Sequence, residues 1–291
     1  MKKTILQPRK TPSKRKKGHG RKKTLDMTLW QRLVQRLCAP FLRDGELAPW
    51  AIWGGASLIG VVYIVVVYFF FFRPYLMREE VQDIYFLRPY VHGVDISHHQ
   101  GDIDWNKVSQ ATVRERPINF VFMKATEGGD FVDDSFRHNF SQARESGLVR
   151  GAYHFFLPDV PAEVQARNFI SQVKLQPGDL PPVLDIEVVG KGGVEQLQQR
   201  AATWLSLVER HYGVAPIIYA SYKFKTTYLN NPPFTRYPYW IAHYYVEDLK
   251  YTGPWKFWQH TDRGRLDGIS TRVDLNIFNG NLEELMQLSI K

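Results

Sequence analysis

With 291 residues, the chain is too long for one minimal domain and too short for two large ones. Its formal net charge is +9, but residues 1–50 hold 14 Lys and Arg against 3 Asp and Glu. The remaining body is therefore close to neutral. A uniformly basic nucleic-acid-binding fold is disfavoured for this reason. A hydrophobic content of 44% excludes a mostly disordered protein, and the single cysteine, Cys38, excludes an intrachain disulfide framework and a multi-cysteine metal site.

The first 72 residues predict a basic tail followed by a membrane anchor. Residues 1–48 form the tail, in which the dense like charges of residues 1–24 repel each other and are expected to be disordered. Residues 47–72 contain no charged side chain. A membrane-spanning helix needs about 20 apolar residues, whereas the core of a cleavable signal peptide needs only about 7–15. The sequence therefore predicts one transmembrane helix over residues 49–72, embedded in a lipid bilayer.

The charges that flank this span predict its orientation. All 14 Lys and Arg of residues 1–50 precede it, and few basic residues follow it directly. By the positive-inside rule, the N-terminus stays in the cytoplasm and the folded body lies outside the cytoplasmic membrane, in a periplasm or at the cell surface. Residues 73–91 are expected to form a stalk. Nucleic-acid binding by the tail is the weaker alternative, because an anchor of this topology needs the same charges.

Residues 92–291 alternate between short β-branched or aromatic runs and amphipathic stretches, a pattern typical of an α/β fold with a parallel sheet. Helical patterns cover residues 133–147, a segment that opens at Pro161 and a segment that ends at Gly213. A full eightfold α/β barrel takes about 250 residues. We therefore expect an irregular (β/α) barrel of about eight strands, with helices missing after strands five to seven. The candidate strands are 91–96, 118–124, 149–155, 182–186, 215–220, 238–242, 255–259 and 273–278.

Four carboxylates fall on three of these strands. Asp95 lies near the end of the first strand, Asp185 and Glu187 at the end of the fourth, and Asp274 in the last. Side chains at the C-terminal ends of barrel strands converge on one mouth, where the chemistry of such barrels occurs. Two acids placed two residues apart share one face of a strand and can supply the protonated and the ionised carboxyl that glycosidic bond cleavage needs. Helix capping or pairing with Arg is the structural alternative for any one of them.

Aromatic side chains near the same strand ends could provide flat faces for sugar rings. The predicted substrate-binding residues are Tyr153, Phe155, Tyr219, Trp240, Tyr244 and Gln259, and Trp258 is a further aromatic candidate. His98 and His99 are weak metal candidates, because no third ligand at a suitable spacing accompanies them. No metal and no cofactor is therefore expected.

Several segments of the body together resemble the glycoside hydrolase family 25 lysozymes. The most specific are Asp-Ile-Ser (95–97), Lys-Ala-Thr-Glu-Gly (124–128) and Asp-Ile-Glu (185–187), and the likeness covers about residues 92–280 in the family's order. The others are 150–156, 216–221, 239–244, 257–261 and 273–278. One departure is Asp130 followed by Phe131, where the family usually has an aromatic residue or Leu two residues after the Gly. A one-residue insertion in that loop would alter substrate contacts without removing the chemistry.

This resemblance implies a barrel that hydrolyses the β-1,4 bond between N-acetylmuramic acid and N-acetylglucosamine in peptidoglycan. It implies that Glu187 is the general acid/base that protonates the leaving oxygen. Asp185 would orient the 2-acetamido group of the substrate as that group attacks the anomeric carbon, or else stabilise the positive charge directly. Asp95 and Asp274 would hold the water, the acetamido group or Asp185 in place.

The expected function is thus a peptidoglycan muramidase tethered to the outer side of the cytoplasmic membrane. Two alternatives use the same groove. A non-catalytic glycan-binding tether to the wall would not need Glu187, and a hydrolase of chitin-like polymers would use the same acids on a different glycan.

Overall fold

The computed structural model describes residues 37–43, 46–73 and 90–291. The chain divides into two units, which separate between Phe69 and Phe70. Most of the predicted basic tail and of the predicted stalk lies outside the described residues.

The first unit contains one substantial helix, the N-terminal helix Pro49–Val67, which begins with a proline at its first position. A 3₁₀ turn (Ala39–Phe41) and a short antiparallel pairing of Leu42–Arg43 with Glu46–Leu47 precede it. A π-helical turn, Tyr68–Phe72, follows it and includes the residues at which the two units divide. Large apolar side chains of this helix, such as Trp53 and Ile59, are exposed. Within the described ranges, no helix combines the length and the apolarity that crossing a membrane requires.

The second unit is a closed barrel of eight strands, which confirms the strand number that the sequence predicts. Strands β1 to β7 are parallel neighbours in sequence order, and β8 lies antiparallel between β7 and β1 and closes the barrel together with the parallel pair β1–β2. The strands are β1 Val91–Ile96, β2 Arg116–Glu127, β3 Val149–Phe155, β4 Val183–Asp185, β5 Ile217–Ser221, β6 Tyr239–Ala242, β7 Phe257–Leu266 and β8 Ile269–Phe278. Two-residue strands, Thr112–Val113 and Phe131–Val132, pair with the two ends of β2.

The expectation of an all-parallel sheet is wrong for the last strand. Strands β7 and β8 form a hairpin around Asp267 and Gly268, and Gly268 has φ of +94°, a backbone conformation that favours glycine. The chain therefore reverses at once instead of crossing back through a helix. Both strands are also longer than predicted, because the hairpin continues beyond the barrel proper.

The helices lie in the connections between strands, except the last, which follows the final strand. They are α1 Phe136–Glu145, α2 Ala162–Gln172, α3 Gly193–Tyr212, α4 Tyr222–Tyr228 and α5 Leu282–Leu288, and a single helical turn, Trp105–Val108, follows β1. The predicted helix end at Gly213 is confirmed, because this residue takes the left-handed conformation with φ of +72°. Helices are absent after β6 and β7, as predicted. After β5 the prediction is wrong, because the seven-residue α4 follows that strand.

The helices pack on the outward-facing residues of the strands. His154 of β3 stacks on Trp204 of α3 with 5.5 Å between ring centroids and contacts Phe169 of α2. Its ring nitrogens are paired with Thr126 at 2.7 Å and Gln165 at 3.1 Å, so this polar group is satisfied inside an apolar layer. This layer fixes the positions of the strand ends.

The barrel interior is filled mainly by aromatic rings. Phe122 stacks on Trp240 at 4.6 Å between ring centroids and packs edge-on against Phe257. Gly151 lies beside Phe122, and a Cβ atom there would come within 2.5 Å of that ring. The absence of a side chain at this position therefore makes room for the ring. The packed aromatic layer closes the barrel below its mouth and leaves the polar residues above it.

Candidate active site

Asp185 and Glu187 are positioned by strand β4. The backbone oxygen of Asp185 accepts a hydrogen bond from Phe156, and the N–H of Ile186 donates to Tyr219, so the chain stays paired on both sides up to this point. Val183 faces the barrel interior and Leu184 the outer layer. Because side chains alternate along a strand, Asp185 points into the barrel mouth, and Glu187 follows on the same side.

Asp95 and Asp274 are brought together by the pairing of β1 and β8. Their Cα atoms are direct partners in the antiparallel register. The two carboxyls lie close enough for the charge of Asp274 to raise the pKa of Asp95.

These four acids line one pocket of about 230 Å³ at the barrel mouth. All six predicted substrate-binding residues line it as well. The complete lining is Asp95, Ser97, His99, Lys124, Tyr153, Phe155, Asp185, Glu187, Tyr219, Trp240, Tyr244, Gln259 and Asp274. The structure thus brings together every acid that the sequence singles out. Their individual roles remain predictions.

Gln259 lies at the bottom of this pocket and is almost fully buried. Its Nε2 donates to Oδ1 of Asp95 at 2.8 Å and to Oδ2 of Asp274 at 3.2 Å. Its Oε1 accepts from the hydroxyls of Tyr219 and Tyr244, both at 2.7 Å. The Nε2 and the Oε1 of Gln259 thus each make two hydrogen bonds within the protein, an arrangement suited to positioning the acids.

Asn276, the partner of Gln259 in the pairing of β7 and β8, supports the same carboxyl. Its Nδ2 donates to Oδ1 of Asp95 at 2.7 Å, while its Oδ1 accepts from the indole N–H of Trp240 at 2.8 Å. Asp95 Oδ1 thus accepts two amide hydrogen bonds. The indole of Trp240 is 2% exposed and has its N–H engaged, so its main contacts are with the barrel interior.

Burial sets the protonation of the acids. It raises the pKa of Asp95 well above its usual value, the charge of Asp274 raises it further, and the two amides oppose the shift. Burial also raises the pKa of Asp274 to about 6. The pKa of Asp185 is raised first by burial and then by the charges of Glu187 and Asp95. Oδ1 of Asp185 is buried and has no hydrogen-bond partner within the described part of the chain.

Glu187 differs from the other three acids because its side chain is exposed at the rim of the pocket. The protein around its carboxyl still raises its pKa, and the positive charge of Lys124 opposes this increase. A carboxylic acid with a raised pKa that remains open to solvent can hand a proton to an incoming group. The exposed Glu187 is thus suited to proton transfer, whereas the buried Asp185 is suited to a different role.

Lys124 is a site residue that the sequence reasoning missed, although it opens the segment 124–128. Its Nζ lies 2.5 Å from Oε2 of Glu127 and 5.0 Å from the ring centroid of Phe155. Asn276 was missed as well, together with Ser97 and His99 at the rim. Alternation from the inward-facing Phe122 on β2 would have found Lys124, and alternation from Asp274 on β8 would have found Asn276.

Trp258 is the one aromatic candidate that the structure places elsewhere. It follows Phe257 and precedes Gln259, which both face inward, so alternation turns Trp258 to the outer side. Its indole N–H donates to the backbone oxygen of His243 at 2.8 Å, and its ring packs against Ile277. Trp258 is therefore no part of the pocket.

His98 also has a structural partner. Its Nδ1 lies 2.9 Å from Oδ2 of the buried Asp133, which also accepts from the backbone N–H of His98. Across residues 37–43, 46–73 and 90–291, no group of three or more His, Cys, Asp or Glu side chains is arranged to hold a metal ion.

Comparison with known proteins identifies the family to which the barrel belongs. Residues 94–269 match the family described as Glycosyl hydrolases family 25. The chain is 41% identical over 245 residues to the uncharacterized protein YegX of Escherichia coli O6:H1, covering 78% of this chain and 90% of that protein. It is 34% identical over 216 residues to Lysozyme M1 of Streptomyces globisporus, covering 68% of this chain and 71% of that protein.

A solved structure gives the same assignment. The structure of a family 25 glycosyl hydrolase from Bacillus anthracis matches with a TM-score of 0.61 and 34% sequence identity, covering 69% of this chain and 94% of that chain. The barrel, its acid-lined mouth and these similarities agree. The chain therefore belongs to glycosyl hydrolase family 25 and is a glycoside hydrolase.

Proposed function

We propose that this protein is a muramidase that cleaves the β-1,4 bond between N-acetylmuramic acid and N-acetylglucosamine in peptidoglycan. The observation that carries this proposal is the placement of an exposed acid, Glu187, above a buried acid, Asp185, at the end of one strand. The proposal is further supported by the similarity to Lysozyme M1 of Streptomyces globisporus, whose name states this type of activity.

Glu187 acts as the acid. Its raised pKa keeps a proton available on a carboxyl that the glycan can reach from solvent. The proton passes to the bridging oxygen as the bond from that oxygen to the anomeric carbon breaks. The ionised Glu187 can then take a proton from the water that completes hydrolysis, which restores the acid.

Asp185 acts on the 2-acetamido group next to the breaking bond. Its unpartnered buried Oδ1 is an acceptor that the N–H of such a group can satisfy. This hydrogen bond orients the acetamido oxygen towards the anomeric carbon. The charge of Asp95 acts on Asp185, and Gln259 holds Asp95 together with Asp274.

Membrane attachment through residues 49–72 is the second part of the proposal. Its support is the uncharged run of residues 47–72 and the strongly basic sequence before it. The exposed apolar side chains of the N-terminal helix would be buried by lipid tails. In this arrangement the barrel lies outside the cytoplasmic membrane, where peptidoglycan is.

The catalytic part is tested with the full chain in detergent and its Glu187→Gln variant. Release of reducing ends from purified peptidoglycan should fall at least about a hundredfold, since removal of a general acid costs about 10²–10⁴-fold. Binding to peptidoglycan in sedimentation assays should persist. Glu195→Gln, an exposed change on α3, is the matched control and should keep full activity.

The products decide between the alternatives. Mass analysis after borohydride reduction should find the reduced sugar to be muramic acid, which identifies a muramidase. Faster cleavage of chitin oligomers than of peptidoglycan would favour the chitin-type hydrolase. Binding without turnover in the unmodified chain would favour the non-catalytic tether.

The membrane part is tested by thiol labelling of intact cells, for which Cys38 is the only native target. A membrane-impermeant reagent should leave Cys38 unlabelled until the cells are lysed. In a Cys38→Ser chain that carries Ser141→Cys on the exposed face of α1, the same reagent should label the intact cells. Extraction of the full chain by alkaline carbonate would contradict the anchor.

A further inference from the structure

A second pocket lies on the flank of the barrel, apart from the catalytic pocket. It is formed by α4, by the residues that follow this helix and by the loop 250–254, and its volume is about 340 Å³. We call it the α4 pocket. Its lining is Tyr222, Lys225, Thr226, Asn230, Thr235, Lys250, Tyr251, Thr252, Gly253 and Pro254, and none of these residues lines the catalytic pocket.

The charged side chains that line the α4 pocket are all positive. Two lysines line it, Lys225 and Lys250, and no Asp or Glu does. Glu247 and Asp248 precede Lys250 in the same loop but do not reach the lining. Among the described residues, neither lysine takes part in an ion pair. The pocket therefore presents positive charge without a counter-charge of its own.

Lys225 is the unusual member, because its side chain is only 1% exposed. Its Nζ donates to the backbone oxygen of Leu229 at 2.9 Å and to Oδ1 of Asn230 at 2.7 Å, and both acceptors are neutral. The same Nζ lies 4.6 Å from the ring centroid of Tyr239 and 5.3 Å from that of Tyr251. Burial lowers the pKa of Lys225.

Capping of α4 explains only part of this arrangement. A lysine near a helix C-terminus commonly binds the last carbonyls, as Lys225 does at Leu229. An exposed lysine can make that bond without losing its water. Burying an ammonium among neutral groups costs free energy that an anion could offset. Capping does not explain why the buried Lys225 has no negatively charged partner among the described residues.

The other lining groups suit a sugar. Thr235 and Thr252 line the pocket and are exposed, and Tyr251 lines it as well. Hydroxyls and aromatic faces are the usual contacts of a pyranose ring. A volume of about 340 Å³ is in the range of small-molecule sites and exceeds what a lone inorganic anion needs.

We propose that the α4 pocket is a binding site for an acidic sugar, a pyranose that bears a carboxylate. The carboxylate would lie between Lys250 and the ammonium of Lys225, and the ring would lie against Tyr251. This site is separate from the catalytic pocket and would hold an acidic glycan on the flank of the barrel. It does not depend on the muramidase assignment.

The test compares D-glucuronate with D-glucose, a matched acidic and neutral pair, by ligand-observed NMR on the full chain in detergent. D-glucuronate should bind and D-glucose should bind at least about tenfold more weakly, since a charge-assisted hydrogen bond contributes this much or more. Lys250→Glu, a change at an exposed position, should weaken D-glucuronate binding by at least about tenfold. Lys225→Met should do the same where thermal unfolding shows that it is folded.

Lys223→Glu is the control, because Lys223 is an exposed lysine on the same helix that does not line the pocket. It should bind D-glucuronate as the unmodified chain does, and so should Glu187→Gln, which separates this site from catalysis. Failure of the unmodified chain to bind D-glucuronate would overturn the proposal. Equal affinities in Lys250→Glu and Lys223→Glu would overturn it too.

Discussion

The amide of Gln259 is locked in one orientation relative to the carboxyl of Asp95. Two tyrosine hydroxyls donate to its Oε1, so its Nε2 must face the acids, and it donates to Asp95 at 2.8 Å. The same Nε2 reaches Asp274 at 3.2 Å. One neutral side chain therefore joins two carboxyls that would otherwise repel each other. The amide favours the ionised form of both, against burial, which favours the protonated form.

Gln259→Glu should disturb this balance. The change removes the N–H donors and places a third carboxyl against Asp95 and Asp274, so the pKa of the pair should rise further. If turnover requires the ionised form of one member, the acidic limb of the profile of kcat/KM against pH should move upward by about one unit or more. Gln199→Glu, an exposed change on α3, should leave the profile unmoved. An unshifted acidic limb in Gln259→Glu would show that the amide is merely structural.

Lys124→Met should shift the alkaline limb of the profile of kcat/KM against pH. The charge of Lys124 lowers the pKa of Glu187 and of Asp185. Without it, Glu187 should hold its proton to higher pH, so the alkaline limb of kcat/KM should shift upward. The ion pair with Glu127 is also lost, and the freed carboxylate acts in the same direction. Lys124→Arg keeps the charge and should keep the limb in place, whereas a downward shift in Lys124→Met would contradict this account.

The site was more predictable from the sequence than the shape of the barrel around it. Asp95, Asp185 and Asp274 interrupt apolar strands, and burying a carboxyl there is costly unless it serves a purpose, which makes such positions stand out. For Asp95 and Asp185, which lie on parallel strands, the strand end also identifies the barrel end at which they meet, and the structure agrees. The rule does not cover Asp274, which reaches the same end from the middle of the antiparallel β8.

The hairpin of β7 and β8 was not predicted, for a physical reason. Its outer part carries exposed charged residues, such as Arg263 and Arg265, which give no alternation of apolar and polar side chains. The Asp267–Gly268 turn was the available signal, since this dipeptide is typical of tight hairpins.

The prediction that Trp258 could contact a sugar was wrong for a different reason. An aromatic residue near a strand end indicates burial, but it does not indicate which side of the sheet the residue faces.

Gly151→Ala should destabilise the barrel. The added methyl group would lie 2.5 Å from Cδ1 and Cε1 of Phe122, a ring that is itself stacked on Trp240 and has no space to retreat. Overpacking of this kind costs about 1–3 kcal/mol. Urea unfolding should show the loss as a lower midpoint with an unchanged slope. Gly129→Ala is the matched control, because its nearest neighbours are two valine methyl groups at 3.1 and 3.3 Å that can shift. Equal midpoints for the two variants would contradict the packing argument.

Asp185→Asn should stabilise the fold while it abolishes turnover. Because the pKa of Asp185 is raised in the folded state by burial and by Glu187 and Asp95, its carboxylate costs stability once the pH exceeds the value at which it ionises in the unfolded chain. A neutral amide avoids that cost, so the Tm of the variant should exceed that of the unmodified chain by a few degrees at pH 8, or about 1 kcal/mol. At pH 3.5 the acid is largely protonated in both states and the gain should shrink. Asp130→Asn, at an exposed loop position, should change the Tm at neither pH. A gain as large at pH 3.5 as at pH 8 would show that the stabilisation does not come from the buried charge.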